Sequence, residues 1–279
     1  MRMEKGILET VKTIGENLYY LKINLPLIAG EINPGNFISI LPPPDSGKYI
    51  RRPFSAAGAE QGEVELIIKN TGPVTASLCR LKKGSEIDAM GPLGNTYSLK
   101  QKKLWMIGGG TGIASILFLN SSRFTVSLDR VLWAGKTAAA LPPEKIMQDK
   151  YFASVFMPNI CFATDDGTLG EKGTASVVLE KWLKEATRET GNNRDPYSGK
   201  SKTASGILPD AIVSCGPHGM MKGIKEIADN AGIPSWFSLE EFMACGAGAC
   251  AGCAVPASGG GYLKACSDGP VFAGSEVIL

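Results

Sequence analysis

Four cysteines near the C-terminus, Cys245, Cys250, Cys253 and Cys266, are spaced C-x4-C-x2-C-x12-C. Four thiolates drawn into one small volume can hold an iron–sulfur cluster, and the first three spacings are those of the plant-type [2Fe–2S] run. Only Gly and Ala lie between those three. A cluster needs the backbone wrapped tightly round it with N–H groups aimed at sulfur, and glycine permits such turns. Two other uses of the thiols stay open at this point. Zinc sites usually pair two short Cys-x-x-Cys knuckles, whereas this chain has one, an x4 step before it and a lone fourth cysteine. Disulfides belong to exported chains, and nothing else in the sequence suggests export.

Two further stretches carry chemistry of another kind. Arg51-Arg52-Pro53-Phe54-Ser55 combines a forked cation suited to phosphate, a stiff extended turn, a flat apolar ring and a small hydroxyl. A flavin dinucleotide needs these together, although a basic surface turn would read the same way. Gly108-Gly109-Gly110-Thr111-Gly112 follows an apolar run and precedes a helical one. Strand, glycine loop and helix is the order that sets a pyrophosphate on a helix N-terminus. The match to G-x-G-x-x-G/A is imperfect, so the loop alone is a weak signal. Asp129 stands at about the ribose-binding distance of that fingerprint.

The elements that must position these groups fall into two textures. Gly6–Ile14, Asn17–Leu25, Asn36–Leu41, Pro53–Gly58, Glu63–Asn70 and Ser85–Met90 are short runs punctuated by Gly, Pro, Asn and Asp, which predicts a small antiparallel barrel. One helix interrupts them. Thr71 or Gly72 caps it, Pro73 suits its first turn, Val74, Leu78 and Leu81 form its apolar stripe, and Gly84 ends it.

Near residue 100 strands begin to alternate with helices: Lys103–Ile107, Arg130–Ala134, Asn159–Thr164 and Asp210–Ser214 against helical runs at Ile113–Asn120, Glu144–Lys150, Ala175–Thr190 and Met220–Asn230. This predicts a parallel sheet with right-handed crossovers. Ligands of such sheets sit outside the carboxyl ends of the strands. The glycine loop, Gly135-Lys136-Thr137, Asp165-Asp166-Gly167 and Cys215-Gly216-Pro217 all fall there. Thr187–Gly206 is polar and reads as a mobile surface loop. Cys79 and Cys161 read as small core residues, and His218 as the start of a helix.

Composition narrows the function. At 279 residues the chain suits two domains and a small third. The net charge of +2 gives no case for nucleic acid or a membrane surface as partner. Seven cysteines, an odd number with four clustered, suit a reducing, cytoplasmic compartment. Met1–Gly6 lacks an apolar signal core, and no run is apolar enough to span a bilayer.

Taken together these residues resemble the electron-transfer subunits of NAD-linked (class 1B) dihydroorotate dehydrogenases, within the ferredoxin-reductase superfamily. Ser238–Cys253 and Ala265-Cys266-Ser267-Asp268-Gly269-Pro270-Val271-Phe272 carry most of the likeness, with Met90–Asn95 and Ala163–Gly167. The resemblance implies an α/β plus all-β chain of three modules. They are an FAD-binding antiparallel barrel (1–99), an NAD-binding parallel-sheet domain (100–235) and a small [2Fe–2S] domain (236–279). It implies that Arg52, Pro53, Phe54 and Ser55 form the flavin motif and that Ile67, Ile68 and Lys69 line the flavin. Val74-Thr75 falls where the family has Gly-Thr against the pyrophosphate, valine being a departure that adds bulk. Gly109, Gly110, Thr111, Gly112, Cys215, Gly216 and Pro217 would meet the nicotinamide nucleotide, and Cys245, Cys250, Cys253 and Cys266 the cluster. Electrons would then pass between NAD and the FMN of a separate dihydroorotate-oxidising subunit, in a two-plus-two heterotetramer serving pyrimidine biosynthesis. Two competing readings remain. One is a related flavin/iron–sulfur reductase subunit of the ferredoxin, hydrogenase or sulfur-reductase type. The other is a zinc-stapled nucleotide-binding regulator without enzymatic activity.

Overall fold

A computed structural model describes residues 1–99, 103–120, 127–147, 160–192 and 208–279. The N-terminal third folds as expected from its short alternating runs. Strands β1 (Arg2–Gly15), β2 (Leu18–Asn24), β3 (Phe37–Ile40), β4 (Arg52–Glu60), β5 (Glu63–Lys69) and β6 (Glu86–Leu93) close an antiparallel barrel in the order β1-β2-β5-β4-β3-β6. Closure pairs Gly6 with Ile87 and leaves no free sheet edge. Leu21, Ile23, Ile38, Ile40, Val64 and Leu66 fill the interior.

Helix α1 (Pro26–Glu31) covers one end of the barrel, and α2 (Pro73–Arg80) follows β5. Proline opens α2 where a backbone N–H would have no helical partner. The Thr75 hydroxyl accepts the N–H groups of Thr71 and Gly72 at 3.0 and 3.1 Å, closing the turn into the helix. Val74 and Leu78 are buried against the barrel.

The second half begins with β7 (Lys103–Gly109), α3 (Ile113–Leu117), β8 (Ser127–Gly135), α4 (Glu144–Met147), β9 (Ile160–Thr164), β10 (Glu171–Lys172), α5 (Ala175–Asn192), β11 (Ala211–Cys215) and α6 (His218–Asn230). It ends with β12 (Ser235–Ser238), β13 (Ala254–Pro256), β14 (Tyr262–Lys264) and β15 (Val271–Ala273). The large sheet runs β10-β9-β8-β7-β11-β12-β15. All its neighbours are parallel except β15, which returns antiparallel beside β12. That return was not expected. Phe272 of β15 is buried in the core beneath the sheet, and burying such a ring is worth about 1.5–3 kcal/mol. A three-residue strand therefore holds its place by side-chain burial as much as by its ladder. Strand β12 also straddles residue 236, so the chain enters its last segment from within the sheet.

Six sequence readings change or lie outside the described residues. Asp129 sits near the start of β8, at the opposite end of the sheet from the glycine loop. It accepts the Trp105 indole N–H at 2.8 Å and pairs with Lys103 at 3.4 Å, a structural brace away from the cavity. Counting residues along the chain missed which end of the strand the acid occupies. Cys161 is exposed rather than in the core, because β9 is flanked on its outer side only by the two-residue β10. Cys79 is half-buried and packs against the barrel interior. The polar stretch 187–206 continues α5 to Asn192, and its remainder, like 148–150 of the expected helix Glu144–Lys150 and residue 159 of the expected strand Asn159–Thr164, lies outside the described residues.

Candidate functional site

A cavity of about 600 Å³ opens between the barrel, α2, the glycine loop and the segment after β12. All nine residues expected to meet a flavin line it: Arg52, Pro53, Phe54 and Ser55 on β4, Ile67, Ile68 and Lys69 on β5, and Val74 and Thr75 at the start of α2. The strands deliver them by register. Phe37, which also lines the cavity, pairs with Ser55, so ring and hydroxyl stand side by side.

The two adjacent arginines separate by role. Arg51 braces the barrel, donating to the Ser39 and Asp88 carbonyls at 3.3 and 3.1 Å and pairing with the Asp88 carboxylate at 2.7 Å. Arg52 turns to the cavity. Its Nη1 donates to the Ile50 carbonyl at 2.7 Å, and its Nε and Nη2 have no partner among the described residues. A planar fork in that condition suits a phosphate. The valine at 74 is nearly fully buried and forms part of the wall, so the extra bulk packs as apolar lining.

The two loops expected to meet a nucleotide come together at the cavity's other side. β7 and β11 are parallel neighbours with Gly108 opposite Cys215. Their following loops are so close that a Cβ built on Gly112 would lie 2.5 Å from the Cys215 carbonyl oxygen. Only glycine allows this approach. Gly109 packs on Pro217 and Gly216, and the Trp133 indole N–H holds the Gly110 carbonyl at 2.9 Å. Thus Gly109, Gly110, Gly112, Cys215, Gly216 and Pro217 form one surface, and Thr111 reaches the cavity itself. Cys215 is fully buried, and burial drives its thiol well above the usual range. The expected rim continues across the neighbouring strands, where Asp165 and Asp166 donate their N–H groups to Gly135 and Lys136.

Sequence reasoning missed the fourth wall. Leu239, Glu240, Glu241, Phe242 and Met243 all line the cavity. In the sequence they belong to Ser238–Cys253, the stretch that carries the family likeness, with nothing to mark them as cavity wall. Met243 lies two residues before Cys245, so their Cα atoms are within about 7 Å. The cavity and the first thiol are therefore neighbours by covalent necessity.

The thiols stand in two pairs. Cys245 lies beside Cys250 and Cys266 beside Cys253, with Cys245 also close enough to bear on Cys266. Two thiolates on each of two irons is the ligand set of a [2Fe–2S] core.

Backbone donors surround the thiols. Ala247 and Cys250 N–H groups point at Cys245 Sγ at 3.5 and 3.4 Å, Gly248 at Cys266 Sγ at 3.1 Å, and Cys266 at Cys253 Sγ at 3.4 Å. These donors, chiefly Ala247 and Cys250, lower the Cys245 thiol to about 6, whereas burial raises Cys266 to about 11. The donors at the Cys245 loop favour the thiolate form that a metal ligand takes. Cys250 is the exposed thiol of the four.

Asn95 ties the barrel to this tail. Its Nδ2 donates to the Asp268 and Val271 carbonyls at 2.9 and 2.7 Å, and its Oδ1 accepts the Val271 N–H at 2.9 Å. At roughly 0.5–1.5 kcal/mol for each bond, Asn95→Ala is expected to destabilise the chain by about 2 kcal/mol. Denaturant unfolding measures this; an unchanged midpoint would mean that the clamp does not form in solution.

Comparison with known proteins agrees with this architecture. Residues 5–97 match the oxidoreductase FAD-binding domain family. Residues 240–278 match the iron–sulfur cluster binding domain of dihydroorotate dehydrogenase B. The dihydroorotate dehydrogenase B (NAD(+)) electron transfer subunit of Geobacillus kaustophilus is 30% identical over 99% of this chain and 98% of its own length. That of Streptococcus mutans is 31% identical over 96% and 95%. Among solved structures, an NADH-dependent reduced ferredoxin-NADP oxidoreductase superposes with a TM-score of 0.75 at 26% identity, covering 98% of this chain and 89% of that one. Phthalate dioxygenase reductase shares the fold at a TM-score of 0.57 and 11% identity, covering 91% and 86%. The chain belongs to the family of dihydroorotate dehydrogenase B electron transfer subunits.

Proposed function

We propose that this chain relays electrons between NAD and the FMN of a separate dihydroorotate-oxidising subunit, in a two-plus-two assembly in the cytoplasm. One observation carries the reading. The segment Leu239–Met243 walls the cavity and runs directly into Cys245, which puts a flavin site and a cluster site on one short piece of backbone. When bound, FAD exchanges electron pairs with a nicotinamide, and a [2Fe–2S] cluster passes single electrons.

The chain's own residues place these groups. Arg52 offers its fork to the pyrophosphate, and Ile67, Ile68 and Phe54 give the ring an apolar bed. The surface of Gly109–Gly112 and Cys215–Pro217 receives the nicotinamide nucleotide. Cys245, Cys250, Cys253 and Cys266 hold the cluster. The barrel, the sheet and the tail act as three modules divided near residues 99 and 235. Among the described residues no helix is long and apolar enough to cross a membrane. The thiols that this reading needs reduced suit a cytoplasmic setting.

The likeness to the ferredoxin-NADP oxidoreductase over 98% of the chain favours a second reading, a reductase subunit serving ferredoxin. The partner separates the two. Native co-purification, followed by assay of dihydroorotate-dependent NAD+ reduction, is expected to recover an FMN-containing partner and that activity. Recovery of a ferredoxin-linked partner with no turnover of dihydroorotate would overturn the first reading in favour of the second.

A further inference from the structure

Lys264 lies outside the four thiols, yet its side chain crosses from one thiol pair to the other. Its backbone belongs to β14, paired with Ala254, next to Cys253. Its ammonium donates to the Gly248 carbonyl at 2.8 Å, and Gly248 is the residue whose N–H reaches Cys266 Sγ at 3.1 Å. Gly248 holds a positive φ of 80° with Ser267 packed against it, so this turn of the cysteine loop has little freedom. The Lys264 carbonyl accepts the N–H groups of Ser267, Asp268 and Gly269 at 3.2, 2.8 and 3.2 Å. One residue thus pins the Gly248 loop with its side chain and the Cys266 loop with its backbone.

The charge matters as well as the clamp. Lys264 is half-buried and makes no ion pair among the described residues. The nearest acid in its own turn, Asp268, directs Oδ2 to the Lys264 backbone N–H at 2.7 Å and Oδ1 to the Ser267 hydroxyl at 3.1 Å. A cation held on the carbonyl of the residue whose N–H reaches Cys266 Sγ, in partly excluded solvent, favours the more negative of two redox states.

Resting on the reading of the four cysteines as a [2Fe–2S] site, we propose that Lys264 is a positioning residue that raises the cluster's reduction potential. It does so by holding a positive charge against the Gly248 turn. This would keep the cluster reducible by the flavin beside it.

The test is an anaerobic redox titration of the purified holoprotein, followed by electron paramagnetic resonance of the reduced cluster, on wild type, Lys264→Arg, Lys264→Gln and Lys264→Met. Glutamine keeps an N–H donor on a stem one bond shorter and carries no charge. The expected result is a wild-type midpoint for Lys264→Arg and a more negative one for Lys264→Gln. The expected shift changes the oxidised-to-reduced ratio about tenfold at fixed potential, or 59 mV for one electron. Iron and sulfide content should stay at wild-type levels in both variants. A Lys264→Gln midpoint equal to wild type overturns the proposal, even if Lys264→Met loses its cluster, because the lysine would then serve only as a clamp. Absence of iron and sulfide from wild type would instead overturn the cluster reading itself.

Discussion

Cys253→Ser is expected to remove the cluster while leaving the flavin in place. Cys253 is only 2% exposed and packs in the core with Cys266 and Phe272, so the hydroxyl that replaces it has no solvent to lean on. Serine is isosteric enough to keep the fold, but it does not supply a soft thiolate at neutral pH. Changes one shell further out typically cost 10–100-fold in metal affinity, and a lost ligand costs more. Iron, sulfide and the visible iron–sulfur absorption should all disappear. NADH should still reduce the flavin, whereas electron delivery to a one-electron acceptor beyond it falls by at least about 100-fold. Cys161→Ser is the control. Cys161 is exposed on β9, far along the chain from the tail, and its replacement should change none of these. Loss of absorption in both variants, or in neither, would contradict the assignment of thiols.

Arg52→Ala is expected to weaken FAD binding roughly 10- to 100-fold. Charge-assisted hydrogen bonds contribute about 1.5–3 kcal/mol, and each 1.4 kcal/mol is a factor of ten. The fold should survive, because Arg52 contributes to it only through local bonds to the Ile50 and Arg51 carbonyls. Arg51→Ala should do the reverse. It breaks the pair with Asp88 and the bonds across β3 and β6, lowering the unfolding midpoint with little change in flavin affinity. Flavin release followed by fluorescence, beside thermal unfolding, reads both quantities. Equal flavin loss in the two variants would show that the arginines act together rather than separately.

Much of this was legible in the letters, for identifiable reasons. The six barrel strands are short alternating runs cut by Gly, Pro, Asn and Asp, so their existence followed from local chemistry. Their order around the barrel did not, since closure depends on long-range register such as Gly6 against Ile87. Ile67 and Ile68 were legible as flavin-lining residues only through the family resemblance, and both stand on the cavity wall.

The wall from Leu239 to Met243 was visible only as part of the family likeness of Ser238–Cys253. No residue type or spacing in it pointed to the cavity, and only the three-dimensional return of the tail gives it that role. The same holds for Asn95, whose three side-chain bonds reach 173 and 176 residues along the chain. Asp129 carried little weight because the glycine fingerprint that would assign it is incomplete, and its spacing rule ignores where a strand begins. Cys161 misled because burial depends on neighbouring strands, not on the cysteine.

An anaerobic titration of the purified chain with NADH, monitored by visible absorption and electron paramagnetic resonance together, tests the central claim most directly. Flavin bleaching accompanied by the paramagnetic signal of a reduced two-iron cluster, in near-equal amounts, is the result expected. A colourless protein, a zinc-loaded one, or a flavin that bleaches while no cluster signal forms would contradict the account.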